Sequence, residues 1–230
     1  MLLGIDTSGA VSVAVARGDL TGPAPEILAV TSDERARHHD EVLLDLIDAT
    51  TARAGTARSE LTGIVVGRGP GPFTGLRVGL VTARTIAAVL DIPLYGLSSL
   101  DALAHQALAR VQGPATVAVA LDARRREIYH ARYRRGPSGQ VTREDGPAVD
   151  PPAAVFEQLR ACDLLVGSGT RLYPELLPAT AELIHADAGH LLQAAAQLAT
   201  QGEDLSSTEP MYLREPDAAK PTARKSALGR

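Results

Sequence analysis

The chain has no tryptophan and only 3% aromatic residues, which argues against a surface built to stack bases in the way single-strand-binding domains do. Its one cysteine, Cys162, rules out an internal disulfide and fits a reducing compartment. No stretch approaches the roughly 18 uninterrupted apolar residues of a membrane span. The opening MLLGIDTSGA has no basic leader, and its apolar run is too short for a signal peptide. The expectation is a soluble, cytoplasmic protein with no membrane partner. A dominant charge is missing too: 23 Lys and Arg against 27 Asp and Glu leave a net −4, so any attraction to nucleic acid must come from a local patch. What is present is 45% hydrophobic residues over 230 positions, enough for one large domain or two small ones.

The segments LLGID (2–6) and VSVAVA (11–16), joined by the turn TSGA, read as an opening β-hairpin. DEVLLDLIDATTARAG (40–55) has helical spacing, with Val42, Leu43, Leu46 and Ile47 on one side and Glu41, Asp45 and Asp48 opposite. A buried strand at 61–67 precedes a helix at 75–90, and a third helix at 98–111 is capped by Ser98 or Ser99. The pattern then restarts. Residues 116–133 read as strand, acid, turn and strand, with Asp122 placed as Asp6 is in the first hairpin. A helix at 151–162, a glycine-ended strand at 163–169 and a helix at about 187–200 follow. The two halves look like one β-β-α-β-α theme written twice.

Between strand and helix lies GRGPGPFTGLRVGL (67–80), which invites a phosphate-loop reading. A P-loop needs GxxxxGK[ST], but Gly75 is followed by Leu76 and Arg77. A dinucleotide fingerprint needs GxGxxG, whereas Gly69, Gly71 and Gly75 are spaced GxGxxxG. Pro70 and Pro72 also remove amide donors from any anion cradle. Behind the turn, Gly75, Gly79, Ala83 and Ala87 recur at i+4, a stripe that lets a neighbouring backbone come close. Polar character on this helix is confined to a sector holding Arg77, Arg84 and Thr85. Such a helix either packs on a sheet and on a further surface or is buried within one chain, and spacing leaves both open.

Taken in order, LLGIDTSGAVSVAV, GPGPFTGLRVGL, IPLYGLSSLDALA, ALDARRREIYHARY, VGSGT and PMYLRE resemble the TsaB (YeaZ) family, over nearly the whole chain and least in the basic tail. That family is the dimerisation subunit of the bacterial machinery that makes threonylcarbamoyladenosine on tRNA. The resemblance implies an α/β actin-like ATPase fold (sugar kinase, Hsp70, actin) of two ribonuclease-H-like lobes. These would be an N-terminal lobe at 1–98, a C-terminal lobe at 99–213 and a flexible basic tail at 214–230, with the helix at 98–111 packing on either lobe.

The resemblance implies a scaffold, with no catalytic residues, no cofactor and no activity alone. Its partners would be a TsaD-like catalytic subunit, a TsaE-like ATPase, a second copy of itself when alone, and tRNA through the complex. The catalytic partner carries a metal-binding HxxxH, and the matching stretch here has Ser99 and Leu103 at those places, so no metal site is expected. His105 stands nearby without a sequence partner. The family pairs through N-terminal-lobe helices, which makes Leu43, Leu46, Ile47, Val78, Val81 and Arg77 or Arg84 the contact candidates. Asp6, Thr7 and Ser8, facing Asp122 across a cleft, resemble a degenerate nucleotide site; a capping turn that closes the hairpin is the competing account. Arg124, Arg125, Arg126 and Arg132 form the densest basic stretch, either a tRNA phosphate contact or a solvated hairpin. The rival function is a small ATP-dependent phosphotransferase of the sugar-kinase and actin-like superfamily.

Overall fold

The computed structural model describes residues 1–34 and 39–214. β1 (Leu2–Asp6) and β2 (Val11–Arg17) form the expected hairpin. With β3 (Glu26–Asp33), β4 (Gly63–Gly67) and β5 (Leu94–Leu97) they make a five-stranded sheet in the order β3-β2-β1-β4-β5. Strict alternation sorts its side chains. Leu3, Ile5, Val13, Ile64 and Val66 face outward into one core, while Leu2, Ala14, Ala16 and Val65 face inward into another. The outer face is covered by α1 (His39–Arg53) and α2 (Phe73–Leu90).

The second half repeats the plan. β6 (Ala115–Asp122), β7 (Ile128–Arg135), β8 (Val141–Asp150) and β9 (Leu164–Val166) form a four-stranded sheet in the order β8-β7-β6-β9. Its outer face is covered by α4 (Pro152–Arg160), through Val155 and Leu159. In both sheets the first three strands are antiparallel, and the strand after the first covering helix pairs parallel to the opening one. The repeated unit therefore has a strand more than the sequence reading gave it, β3 in one half and β8 in the other. Both are edge strands, and β8, VTREDGPAVD, carries four charged residues and a Gly-Pro. An edge strand has little to bury, so the apolar pattern that reveals a strand is absent from β8, whereas β3, EILAVTSD, has an apolar run that the sequence reading passed over.

Between the sheets lie α3 (Ser99–Leu108) and α6 (Ala188–Thr200), which pack on each other. The halves exchange these helices. α6, from the end of the second half, seats on the first sheet, where the Ala188 N–H donates to Ser12 Oγ at 3.0 Å. A Cβ on Gly4 would stand 2.8 Å from the Ala188 carbonyl oxygen, so glycine at that position permits the approach. α3, capped by Ser98 through the Leu100 N–H, seats on the second sheet. There the buried Asp101 accepts from Tyr133 Oη at 2.7 Å and pairs with Arg143 at 2.7 Å. A short helix, α5 (Ser168–Leu172), completes the elements.

Two interface candidates are corrected by this packing. Leu43 and Ile47 are each 1% exposed and sit in the outer core against the sheet. Leu46 is half-buried against the same core, and Leu44 is the leucine of α1 that faces out. Helical spacing fixes which residues share a face; the sheet decided that this face turns inward. Of the expected basic tail, everything beyond Arg214 lies outside the described residues.

His105 of α3 is not solitary. Its Nδ1 lies 3.2 Å from Nδ1 of His190 on α6. Burial, with His190 and Arg135 adding to it, holds His105 down at about 4, and burial lowers His190 as well. The folded state thus binds fewer protons than the unfolded chain, whose histidines titrate near 6.5. Stability is complete above that value and falls as pH drops toward 4. Denaturant unfolding measured across pH 7 to 4 should show that decline, and His105→Gln should flatten it. Parallel loss in both proteins would remove the histidine pair as its cause.

Candidate functional site

The glycine turn positions a helix. Gly75, Gly79, Ala83 and Ala87 are all buried against the first sheet. Thr7 Oγ1 donates to the Gly75 carbonyl at 2.8 Å and accepts from the Gly79 N–H at 3.2 Å. A Cβ on Gly79 would collide with that hydroxyl, and one on Gly71 would stand 2.5 Å from the Ser8 carbonyl oxygen. The glycines thus let α2 and its approach loop lie directly on the turn of the first hairpin.

Leu76 and Leu80 turn inward beside this stripe, and other bulky apolar residues of the two helices face out. Val81 is 60% exposed, Val89 78%, and Leu44 on neighbouring α1 54%. Val78 is half-buried against the outer core. Arg77 and Arg84 do not stand free at the rim of this face. They hold a segment, residues 205–214, that returns from the second half along one flank of α2. Arg84 donates to the Thr208 carbonyl and pairs with Glu209, both at 2.8 Å. Arg77 Nε donates to Tyr212 Oη at 2.9 Å, and its guanidinium lies 3.6 Å from the centre of the Phe73 ring. Phe73 in turn stacks on Tyr212 with ring centres 5.4 Å apart. Backbone bonds fix the segment at both ends, Gly96 N–H to Leu205 at 2.9 Å and Met211 N–H to Arg68 at 2.7 Å. Phe73, Tyr212, Leu44 and Val89 were missed by sequence reasoning. The motif PMYLRE marks the segment, but nothing local in it points to a helix more than a hundred residues earlier.

A cleft of about 350 Å³ opens between the halves, lined by Ser8, Pro72, Thr74, Asp122, Ser168 and His185, among others. Of the four residues expected there, Ser8 and Asp122 line it and Asp6 and Thr7 lie beneath. Asp6 Oδ1 accepts from the Ser8 N–H at 2.9 Å and Ser8 Oγ at 2.6 Å, and Oδ2 accepts from Ser99 Oγ at 2.5 Å. Burial pushes its carboxyl above the usual range, against the pull of these bonds. Oδ1 closes an Asx turn with Ser8, the capping arrangement that competed with a phosphate turn, while Oδ2 is held by Ser99. Asp122 accepts from the Arg124 N–H at 2.7 Å and pairs with the Arg124 guanidinium at 3.1 Å. Leu103, at the second position where the resemblance puts a metal-binding imidazole, is buried between the sheets. Among the described residues, no three His, Cys, Asp or Glu side chains gather at metal-binding spacing.

The basic stretch divides into two parts. Along the strands it is neutralised across the ladder by β8: Arg132 faces Asp145 at 3.5 Å and Arg134 pairs with Glu144. At the hairpin tip, Arg124, Arg125 and Arg126 have φ of 62°, 54° and 64°, three consecutive side-chain-bearing residues in left-handed backbone. That conformation costs roughly 1–2 kcal/mol per residue. Beside the tip is a second groove of about 450 Å³, lined by Phe73, Tyr129, Tyr212, Arg124, Arg125 and Arg214 among others. Arg214 pairs with Glu127 and donates to the Ala123 carbonyl at 3.1 Å.

A family model described as TsaD, tRNA N6-adenosine threonylcarbamoyltransferase, matches residues 27–200. The chain is 31% identical over 189 residues to the tRNA threonylcarbamoyladenosine biosynthesis protein TsaB of Escherichia coli, covering 77% of this chain and 81% of that one. It is 30% identical over 228 residues to the protein of the same name from Haemophilus influenzae, 93% of each. The solved structure of YeaZ from Pseudomonas aeruginosa superposes with a TM-score of 0.74 at 30% identity, over 92% of this chain and 99% of that one.

Two substitutions test the geometry. Gly79→Ala should destabilise by about 1–3 kcal/mol, read as a lower urea midpoint, because the added methyl meets Thr7. Asp6→Asn should be at least as stable as wild type at pH 7. A carboxyl whose folded pKa is raised binds its proton more tightly when folded, so ionisation above the unfolded value opposes folding, and the amide escapes that cost.

Proposed function

The chain belongs to the TsaB (YeaZ) family, and from that premise we propose that it is a non-catalytic scaffold subunit in tRNA threonylcarbamoyladenosine synthesis. It pairs with a TsaD-like catalytic subunit through α1 and α2, and stabilises that subunit in the arrangement that transfers threonylcarbamoyl to the adenosine beside the anticodon. The pair offers the docking place for a TsaE-like ATPase. Alone, the chain uses the same face for a symmetric homodimer, and it works in the cytoplasm, where it meets tRNA through the complex.

The observation that carries this reading is where the exposed apolar side chains lie. Six large ones are exposed among the described residues; Leu44, Val81 and Val89 lie on α1 and α2, while Phe73 and Tyr212 stack on each other in the groove beside the hairpin tip. Single exposed apolar residues need no explanation, but three on one helix pair mark a contact surface. The phosphotransferase alternative is weakened on this chain's own residues. It needs an available acid at the first turn, and Asp6 is buried with both oxygens engaged.

Val81→Asp and Val89→Asp should each weaken pairing at least tenfold, because a carboxylate would be buried at the contact. Both positions are exposed, so the monomer should keep its fold. Light scattering of the mixed subunits reads the complex mass, and circular dichroism reads the fold. Threonylcarbamoyl transfer should require both wild-type subunits. A mass unchanged in both variants, or transfer by this chain alone, would overturn the scaffold reading.

A further inference from the structure

We infer that the groove between the β6–β7 tip, the start of α2 and the returning segment 205–214 holds an unpaired nucleotide of an RNA loop. The base stacks on a tyrosine ring and the flanking phosphates meet the tip arginines. The inference rests on the reading that the chain works on tRNA. It concerns a different surface from the pairing face.

The chain contains two phenylalanines, five tyrosines and no tryptophan. Three of those seven rings, Phe73, Tyr129 and Tyr212, line this one groove. They come from the start of α2, from β7 and from the returning segment, so the fold gathers them from a composition that is poor in aromatics everywhere else. Around them stand Arg77, Arg124, Arg125 and Arg214, against the carboxylates of Asp122 and Glu127. A chain of net charge −4 is locally cationic here. Flat rings beside guanidinium groups suit a base and its phosphates: any base offers a face for stacking, and a guanidinium can hold a phosphate with two hydrogen bonds.

Size and backbone agree. A groove of about 450 Å³ admits one extruded nucleotide. A duplex keeps its bases stacked inside and has no free face for the tyrosines. The tip backbone is left-handed at three successive arginines, a conformation glycine adopts without steric penalty. Arginine stands at all three, in a place where side chains are retained against a local cost.

The test is fluorescence anisotropy with labelled oligoadenylate RNA, single-stranded and annealed to its complement, on the full chain and on its complex with the TsaD-like subunit. The single strand should bind more tightly than the duplex, with affinity falling as salt rises. Tyr129→Leu and Tyr212→Ala should each weaken binding roughly tenfold. Tyr212→Phe, which keeps the ring, should bind like wild type. Replacing Arg124 and Arg125 by serine should make the salt dependence shallower. Equal affinity for both RNA forms, no binding at low salt, or full affinity in Tyr129→Leu would overturn the inference. So would loss of subunit pairing in Tyr212→Ala with RNA affinity unchanged, since the groove would then meet protein. If wild type fails to pair but still binds RNA through Tyr129, the scaffold reading falls and this inference stands.

Discussion

Thr7 Oγ1, set between the Gly75 carbonyl and the Gly79 amide, is the contact from which the character of the outer layer follows. It brings α2 down onto the first hairpin's turn, where glycine at 79 leaves the room that the hydroxyl takes. Bulk is excluded at that crossing, while Leu76 and Leu80 of the same helix fill the outer core. Val81 and Val89 stand exposed on the other side, and they make the surface of this half greasy. The glycine-rich segment has the composition of a phosphate loop, yet its glycines are spent on closeness between protein and protein.

The returning segment gives the same helix a second neighbour. By lying along one flank of α2, it occupies Arg77 and Arg84 and brings Tyr212 over Phe73. The first half's helix, the second half's hairpin tip and the chain's late residues therefore meet at one place. On the proposed reading both surfaces draw on α2, Val81 and Val89 in the pairing face and Phe73 in the aromatic groove. The cleft between the lobes is supported from below by Asp6, whose bonds to Ser8 and Ser99 tie β1 to the start of α3.

Much of this was legible in the residues. The apolar segments LLGID and VSVAVA around the turn TSGA disclosed the first hairpin, Ser98 or Ser99 marked the start of α3, where the cap is Ser98, and the parallel placing of Asp6 and Asp122 disclosed the repeat. Three things were not legible, each for a physical reason. β8 is an edge strand, and an edge can be polar without loss. Leu43 and Ile47 share a helix face with Leu46, and nothing in their spacing says whether the sheet or the solvent receives it. The grip of Arg77 and Arg84 on residues 208–212 spans most of the chain, beyond any local pattern. The histidine pair is of the same kind, since His105 meets His190 only because two helices from different halves are laid side by side.

The exchange of α3 and α6 between the sheets has a consequence for how the protein is made. The inner face of the first sheet, with Leu2, Ala14 and Val65, is covered by a helix that begins only at Ala188. During synthesis, five completed strands wait with that face uncovered until the helix at Ala188–Thr200 has left the ribosome. The first lobe closes late, together with the second, and a nascent chain halted midway has no finished half to show for it.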